Sequence, residues 1–361
     1  MKILHVETGR HLYGGPQQVI YLASALRDMG HDNTIVCPPD SGIDDAARAA
    51  AIPVRNLFCA GDLDLPFAYR LAQYIGESQP DILHCHSRRG ADVLGGLAAS
   101  FTDVPAVVSR RVDNTEMRLL AALRYRPFKK VIAISEAIAD VLRDRGVEND
   151  RLTVIRSSVD TAAFEQPGDS AAMRREFDIA EDTTVLAAVG QLIPRKGHRY
   201  LLQALADLRE SYPQLRLVVF GEGFLRNQLQ EQVAALDLGE IVTFAGFRDD
   251  ADDLLPCFDM LVHPALAEGL GVAALKAAAA SVPVVGFSAG GLVEAVADGE
   301  TGILVSPEDV AGLGSAIARL IDDPELRRRL GNAGRERMQN EFSIATMAEK
   351  HVQLYESLID A

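Results

Sequence analysis

The sequence predicts an α/β protein made of two doubly wound parallel-sheet domains. Three observations carry that reading. At 361 residues, the chain exceeds what a single hydrophobic core organises, so two domains of comparable size are expected. Short β-branched runs recur between helix-length amphipathic stretches, as in βαβ units. Near the middle, residues 164–184 contain Pro167, Gly168 and many charges but no strong strand signal, as an interdomain linker would.

The first alternation predicts buried parallel strands at 3–6, 34–37, 82–85, 106–109 and 131–134, each a short apolar run. Helices are predicted at 17–29, 67–78, 91–100 and 136–145. These elements place an N-terminal Rossmann-like domain at 1–165 and a linker at 166–184. The second alternation predicts strands at 185–189, 216–220, 241–245, 260–263, 283–286 and 303–305, with helices at 198–212, 226–236, 272–280 and 310–322. A C-terminal Rossmann-like domain is therefore expected at 185–342. The alanine-rich stretch 273–280 reads as a helix whose small side chains let a neighbour approach closely.

Hydrophobic residues make up 48% and charged residues 24% of the chain, a globular composition. The four cysteines, Cys37, Cys59, Cys85 and Cys257, lack the CxxC spacing of a zinc ribbon or redox site and are expected to be reduced and buried. A strand-like run begins at Ile3, which argues against a leader, and no eighteen-residue apolar run suggests a span. The expected location is cytoplasmic, with peripheral contact at the inner face of a membrane left open. A net charge of −15 argues against nucleic-acid binding. The acidity is uneven: residues 1–170 hold 19 Lys+Arg and 22 Asp+Glu (net −3), leaving 17 and 29 (net −12) for the rest. Residues 84–130 carry nine cations against four acids, a local excess that could face phosphate or a membrane, or simply water.

Ligands of open parallel sheets bind beyond the carboxyl ends of the strands. After the first strand comes Gly14-Gly15-Pro16, opening a helix whose free N–H groups could receive a phosphate or a sugar hydroxyl. A packing turn explains the glycines about as well. At the 82–85 run, alternation puts His84 and His86 on one face and Cys85 on the other. His86 sits at the strand end, where it could orient a hydroxyl or assist proton movement, whereas His84 reads as structural. No third ligand is evident nearby, so no metal is expected. In the second half, residues 190–197 (GQLIPRKG) leave a strand and open a helix, setting Arg195 and Lys196 where a diphosphate would meet backbone N–H groups. Residues 263–272 (HPALAEGLGV) end a strand in a carboxylate, Glu268, followed by glycines that admit a ligand to the backbone. Residues 290–294 (GGLVE) repeat that arrangement, although a helix start explains them nearly as well.

Together these segments resemble glycosyltransferase family 4, over essentially the whole chain. The matching pieces occur in the family's order: GGPQQV at 14–19, DILHCHS at 81–87, VIAISEAIADVL at 131–142, VIRSSVD at 154–160, PRKG at 194–197, FGEG at 220–223 and EGLG at 268–271. The resemblance implies the GT-B architecture, two Rossmann-like domains facing across a cleft, with the helix near 343–361 returning to pack on the N-terminal domain. It implies a retaining, metal-independent hexosyltransferase with no cofactor, taking a UDP- or GDP-linked sugar as co-substrate. The acceptor would be a glycan or lipid-linked molecule of surface polysaccharide or lipopolysaccharide biosynthesis. Residue by residue, it implies that Gly15 approaches the donor and His86 the transferred sugar. Arg195 and Lys196 would neutralise the diphosphate, and Glu268 would hold sugar hydroxyls. Gly190, Gln191, Gly269, Leu270, Gly271, Val272 and Lys276 would complete the donor site. Arg88, Arg110 and Arg111 are the acceptor-side candidates.

Two departures from the family pattern bear on activity. Gln191 stands where many relatives place an arginine. Lys276 stands eight positions after Glu268, where the family usually has a second glutamate for the nucleotide ribose. They motivate an alternative, a catalytically silent GT-B protein that binds a glycan or partner. A GT-B sugar-nucleotide epimerase, which needs acid and base groups around the sugar and no acceptor groove, is a third reading.

Overall fold

The computed structural model describes residues 1–86, 90–112 and 117–360, and their strands form two all-parallel sheets. The first has seven strands: β1 (Lys2–Val6), β2 (Asp32–Cys37), β3 (Val54–Asn56), β4 (Ile82–Cys85), β5 (Ala106–Arg110), β6 (Lys130–Ala133) and β7 (Leu152–Val154). Their order is β3-β2-β1-β4-β5-β6-β7. β1 is central and buried from Ile3 onward, which is why its run is so plainly apolar. β3 and β7, three residues each and partly exposed, carry no apolar run and are absent from the sequence expectation. The connecting helices are α1 (Gly14–Asp28), α2 (Gly42–Ala49), α3 (Leu65–Ser78), α4 (Ala91–Ala99), α5 (Arg118–Tyr125) and α6 (Glu136–Asp144). Ser41, Asp64 and Ser135 cap α2, α3 and α6 by accepting the N–H groups of Asp44, Phe67 and Ile138.

The second sheet has six strands: β8 (Val185–Val189), β9 (Arg216–Phe220), β10 (Val242–Gly246), β11 (Met260–His263), β12 (Val284–Phe287) and β13 (Gly302–Val305). They run in the order β10-β9-β8-β11-β12-β13. Its helices are α7 (Ser170–Glu176), which precedes β8, then α8 (His198–Leu208), α9 (Arg226–Ala235), α10 (Ala251–Leu254), α11 (Val272–Ala279), α12 (Leu292–Ala295), α13 (Val310–Asp322) and α14 (Pro324–Glu341). The apolar core gathers Leu186, Leu201, Leu205, Leu217, Val262 and Ile317.

The last helix, α15 (Ile344–Ile359), contributes Met347, Ala348, Leu354 and Tyr355 to a core shared with Ile3, Leu22, Leu26, Ile82, Val107 and Ile132. The chain thus divides into a first unit, residues 1–158 with 344–361, and a second, residues 159–343. The division falls at Ser158, ahead of the expected 165. The expected linker is also partly folded: its residues 170–176 form α7, capped by Asp169, with Met173 fully buried. Charge on the outward face of that short helix disguised it as a linker.

The alanine-rich helix α11 packs on α14. A Cβ on Gly331 would lie 2.0 Å from the Ser281 carbonyl oxygen, and one on Gly334 would lie 3.3 Å from the Ala278 Cβ. Small residues on both helices therefore permit the contact. The 18-residue helix α14 went unforeseen because charged residues dominate it and only Leu326, Leu330, Gly331, Gly334 and Met338 are buried.

Candidate functional site

Each sheet changes winding direction at one place, between β1 and β4 in the first unit and between β8 and β11 in the second. Such switch points open a crevice at the strands' carboxyl ends. Loops that carry sequence-predicted residues leave β1 and β4 in the first unit and β8 and β11 in the second.

In the second unit, the loop after β8 is pinned to the loop after β11. Gly197, at φ +69°, sits so close to Pro264 that a Cβ would fall 1.8 Å from its carbonyl oxygen. The Leu266 N–H donates to the Arg195 carbonyl at 2.8 Å. This brings Lys196 to Glu268, with Nζ 2.5 Å from Oε2. His263, the last residue of β11, reaches the same Oε2 through Nε2 at 2.9 Å, while Oε1 accepts the Gly269 N–H at 3.3 Å. Burial works against the ionised carboxyl, but the His263 hydrogen bond and the Lys196 charge outweigh it and hold Glu268 well below the usual range. His263 is itself kept neutral by burial, so its Nε2 carries the proton it donates. The buried His198 is lowered to about 4 by burial and by its neighbour His263.

Glycines from other loops support this geometry. A Cβ on Gly221 would lie 2.0 Å from the Gly190 oxygen, and Leu192 N–H donates to the Glu222 carbonyl at 2.9 Å, so the FGEG segment backs the loop that carries Gln191, Arg195 and Lys196. Gly291 N–H donates to the Glu268 carbonyl at 2.8 Å, and Cβ atoms on Gly290 and Gly291 would strike the Glu268 and Gly269 oxygens at 2.3 and 2.1 Å. The Gly290-Gly291 pair is thus a brace for Glu268, and the helix it precedes has only four residues. Gly271, at φ +90°, caps α11, which starts at Val272, and Leu270 is buried beneath it. Gln191 and Arg195 are exposed. Lys276 of α11 is ion-paired with Asp252 of α10.

In the first unit, His84 and His86 share a face as alternation predicts, with ring centroids 3.7 Å apart. The expectation that no third imidazole lies near is overturned. His5 pairs with His84 in the parallel register of β1 and β4, and one ring nitrogen from each of His5, His84 and His86 falls within a 4.8 Å cluster. Spacing along the chain could not reveal this, because the register between strands 79 positions apart creates it. His84 bonds Tyr355 Oη at 2.6 Å and Ser109 Oγ at 2.8 Å, and His5 bonds Asn33 Oδ1 at 3.1 Å and, within the cluster, His86 Nε2 at 2.9 Å.

These contacts fix the protons. Asn33 donates through Nδ2 to the His31 carbonyl at 3.0 Å, so the atom facing His5 Nε2 is its oxygen and His5 Nε2 must carry hydrogen. Burial lowers His5 to about 4 and holds His86 well below its ordinary range; both rings are neutral near pH 7. His5 Nδ1 is then a bare acceptor, and His86 Nε2 must donate to it. The proton-free Nδ1 of His86 is buried and has no hydrogen-bond partner among the described residues. A neutral imidazole with a bare Nδ1 can accept a hydrogen bond or a proton at that atom, while its Nε2–H is committed to His5.

Gly15 lies beside Arg111, whose Cδ would be 3.5 Å from a Cβ on the glycine. Arg111 is half-buried and donates to Ser157 Oγ at 3.3 Å. Burial lowers it to about 10, opposed by the carboxylate of Glu7. It therefore remains a cation at the amino end of α1. Arg110 is buried at the end of β5. Arg88 lies outside the described residues. Three cysteines are buried as expected, while Cys59 is half-buried.

Comparison with known proteins covers both units. Residues 13–163 match the family model described as Glycosyltransferase Family 4, and residues 169–337 match Glycosyl transferases group 1. The structure of Anabaena Alr3699/HepE in complex with UDP superposes with a TM-score of 0.87 at 23% identity, covering 99% of this chain and 100% of that one. A glycosyltransferase from Rickettsia africae ESF-5 gives 0.88 at 20% identity, covering 99% and 98%. The fold is thus GT-B-like, two Rossmann-like α/β domains.

The glycogen synthase of Mycobacterium tuberculosis (strain ATCC 25618 / H37Rv) is 32% identical over 393 residues, spanning 96% of this chain and 90% of its own. The lipopolysaccharide core biosynthesis glycosyltransferase LpsE of Rhizobium meliloti (strain 1021) is 27% identical over 362 residues, spanning 99% of each. The chain belongs to glycosyltransferase family 4.

Proposed function

We propose that this protein is a retaining, metal-independent hexosyltransferase, moving a sugar from a UDP- or GDP-linked donor to a glycan or lipid-linked acceptor of surface polysaccharide or lipopolysaccharide biosynthesis. The observation that carries the reading is the Lys196–Glu268–His263 cluster at the second unit's switch point. In the transfer, the bond from the anomeric carbon to the diphosphate oxygen breaks and its electron pair leaves with the diphosphate. The acceptor oxygen bonds to the same carbon and its proton is released. An ammonium has three donors; one of Lys196's goes to Glu268, and the others suit the phosphate oxygens on which charge accumulates. Arg195 adds a second cation. Glu268, fixed as a carboxylate, accepts sugar hydroxyls, and the backbone of Gly269–Val272 meets the donor at the amino end of α11. In the first unit, the resemblance gives Gly15 to the donor and the bare Nδ1 of His86 to a hydroxyl of the transferred sugar, and Arg111 is an acceptor-side cation.

Named relatives support the chemistry: Alr3699/HepE has been seen with UDP-glucose, and LpsE is named for lipopolysaccharide core biosynthesis. A panel of UDP-, GDP- and ADP-sugars, followed by mass detection of transfer and hydrolysis, tests the proposal. Absence of turnover with every donor would overturn it. The Lys276–Asp252 ion pair and the exposed Gln191 favour a second reading, a silent protein, for which nucleotide would bind without turnover.

A further inference from the structure

Helix α5 presents its apolar side outward. Ala121 and Tyr125, one turn apart, face the core at 0% and 2% exposure, while Leu119, Leu120 and Leu123 on the opposite side are 71%, 47% and 58% exposed. Met117, at the N-cap, is 67% exposed. A helix on a globular surface ordinarily turns polar side chains to water, and an apolar patch rimmed by charge marks an interaction surface. Residues 117–130 contain five cations, Arg118, Arg124, Arg126, Lys129 and Lys130, and no Asp or Glu, in a chain of net charge −15. Arg124 is engaged by Asp92 at 3.1 Å, whereas Arg126 and Lys129 are exposed.

We infer that this face docks on an anionic lipid bilayer, with Met117, Leu119, Leu120 and Leu123 entering the boundary between headgroups and acyl chains and Arg126 and Lys129 meeting lipid phosphates. A second copy of the chain on the same face would set the exposed Arg126 and Lys129 against the same cations, so charge complementarity favours the lipid. The inference deepens the lipid-linked branch of the proposed function by giving the acceptor's carrier a surface to approach. Its test uses neither donor nor acceptor, so either idea can fail alone.

The full chain is sedimented with vesicles of mixed phosphatidylglycerol and phosphatidylcholine, and with phosphatidylcholine alone. Binding to the anionic vesicles should weaken with salt and fall about tenfold or more in Leu119→Ser/Leu123→Ser and in Arg126→Glu/Lys129→Glu. Phe101→Ser, exposed elsewhere on the first unit, should leave it unchanged, and matching circular dichroism melts show that the variants fold. Equal affinity for neutral vesicles, no binding at all, or indifference to the leucine pair overturns the inference. So does a concentration-dependent dimer that Leu119→Ser/Leu123→Ser abolishes, which would give the face to a second copy.

Discussion

Lys196 and Glu268 lie 72 positions apart in sequence, yet their charged groups meet at 2.5 Å because Gly197 lets the β8 loop close on Pro264. The pair is largely buried, at 14% and 13% side-chain exposure, so each charge depends on the other for its solvation. Lys196→Ala should lower kcat by roughly 10²- to 10³-fold, the scale for removing a preorganised donor to a leaving group. Glu268→Gln keeps the shape but cannot hold the ammonium; KM for the donor should rise as kcat falls. Steady-state kinetics on both variants, with thermal melts to separate lost chemistry from lost folding, checks this.

The relay from Asn33 through His5 to His86 yields a spectroscopic prediction. Imidazole ¹⁵N shifts of the wild type at neutral pH should show His5 and His86 both protonated at Nε2. Asn33→Leu removes the acceptor that locks His5, so His86 should become a mixture of tautomers and kcat should fall about tenfold. An unchanged His86 spectrum in Asn33→Leu would show that the lock lies elsewhere.

Buried neutral histidines set an acid limit to stability. His5 and His198 are lowered to about 4 and His351 to about 3, in each case chiefly by burial, against about 6.5 for the unfolded chain. The unfolded state therefore takes up protons first as pH falls below 6.5. The stabilisation is fully present above that value and is lost as pH falls toward 4, by about 3 kcal/mol for His5 alone. Glu268, held low, keeps its charge throughout that window. Urea midpoints measured from pH 7.5 down to 4.5 should fall steadily. His351→Leu, which removes a buried Nε2 without a partner among the described residues, should flatten the slope.

The central strands, the long amphipathic helices and the loops bearing Lys196 and Glu268 were legible in the sequence because burial on both faces and strand-end placement write themselves into local pattern. Val54–Asn56 and Leu152–Val154 were not, since three half-exposed residues need no apolar run. The partners of the site residues were illegible for another reason. His5 meets His86 through sheet register, and Lys276 meets Asp252 through the packing of α10 near α11; neither contact leaves a periodic trace in the chain. The linker at 166–184 was misread because its helix buries little beyond Met173.

That last ion pair determines how the departure at position 276 should be tested. Where the resemblance leads one to expect a carboxylate, Lys276 instead holds the carboxylate of Asp252, supplied by α10. If the pair serves the donor, Asp252→Asn and Lys276→Ala should each raise the donor KM about tenfold with a smaller change in kcat, and the double variant should cost little more than either alone. Lys276→Glu alone sets two carboxylates together and should weaken binding further, whereas Lys276→Glu with Asp252→Lys restores an ion pair with its carboxylate on α11 and should recover most of the affinity. Donor titrations of the five variants separate the cases. Strictly additive losses, or no change in KM, would show that Lys276 and Asp252 only join two helices.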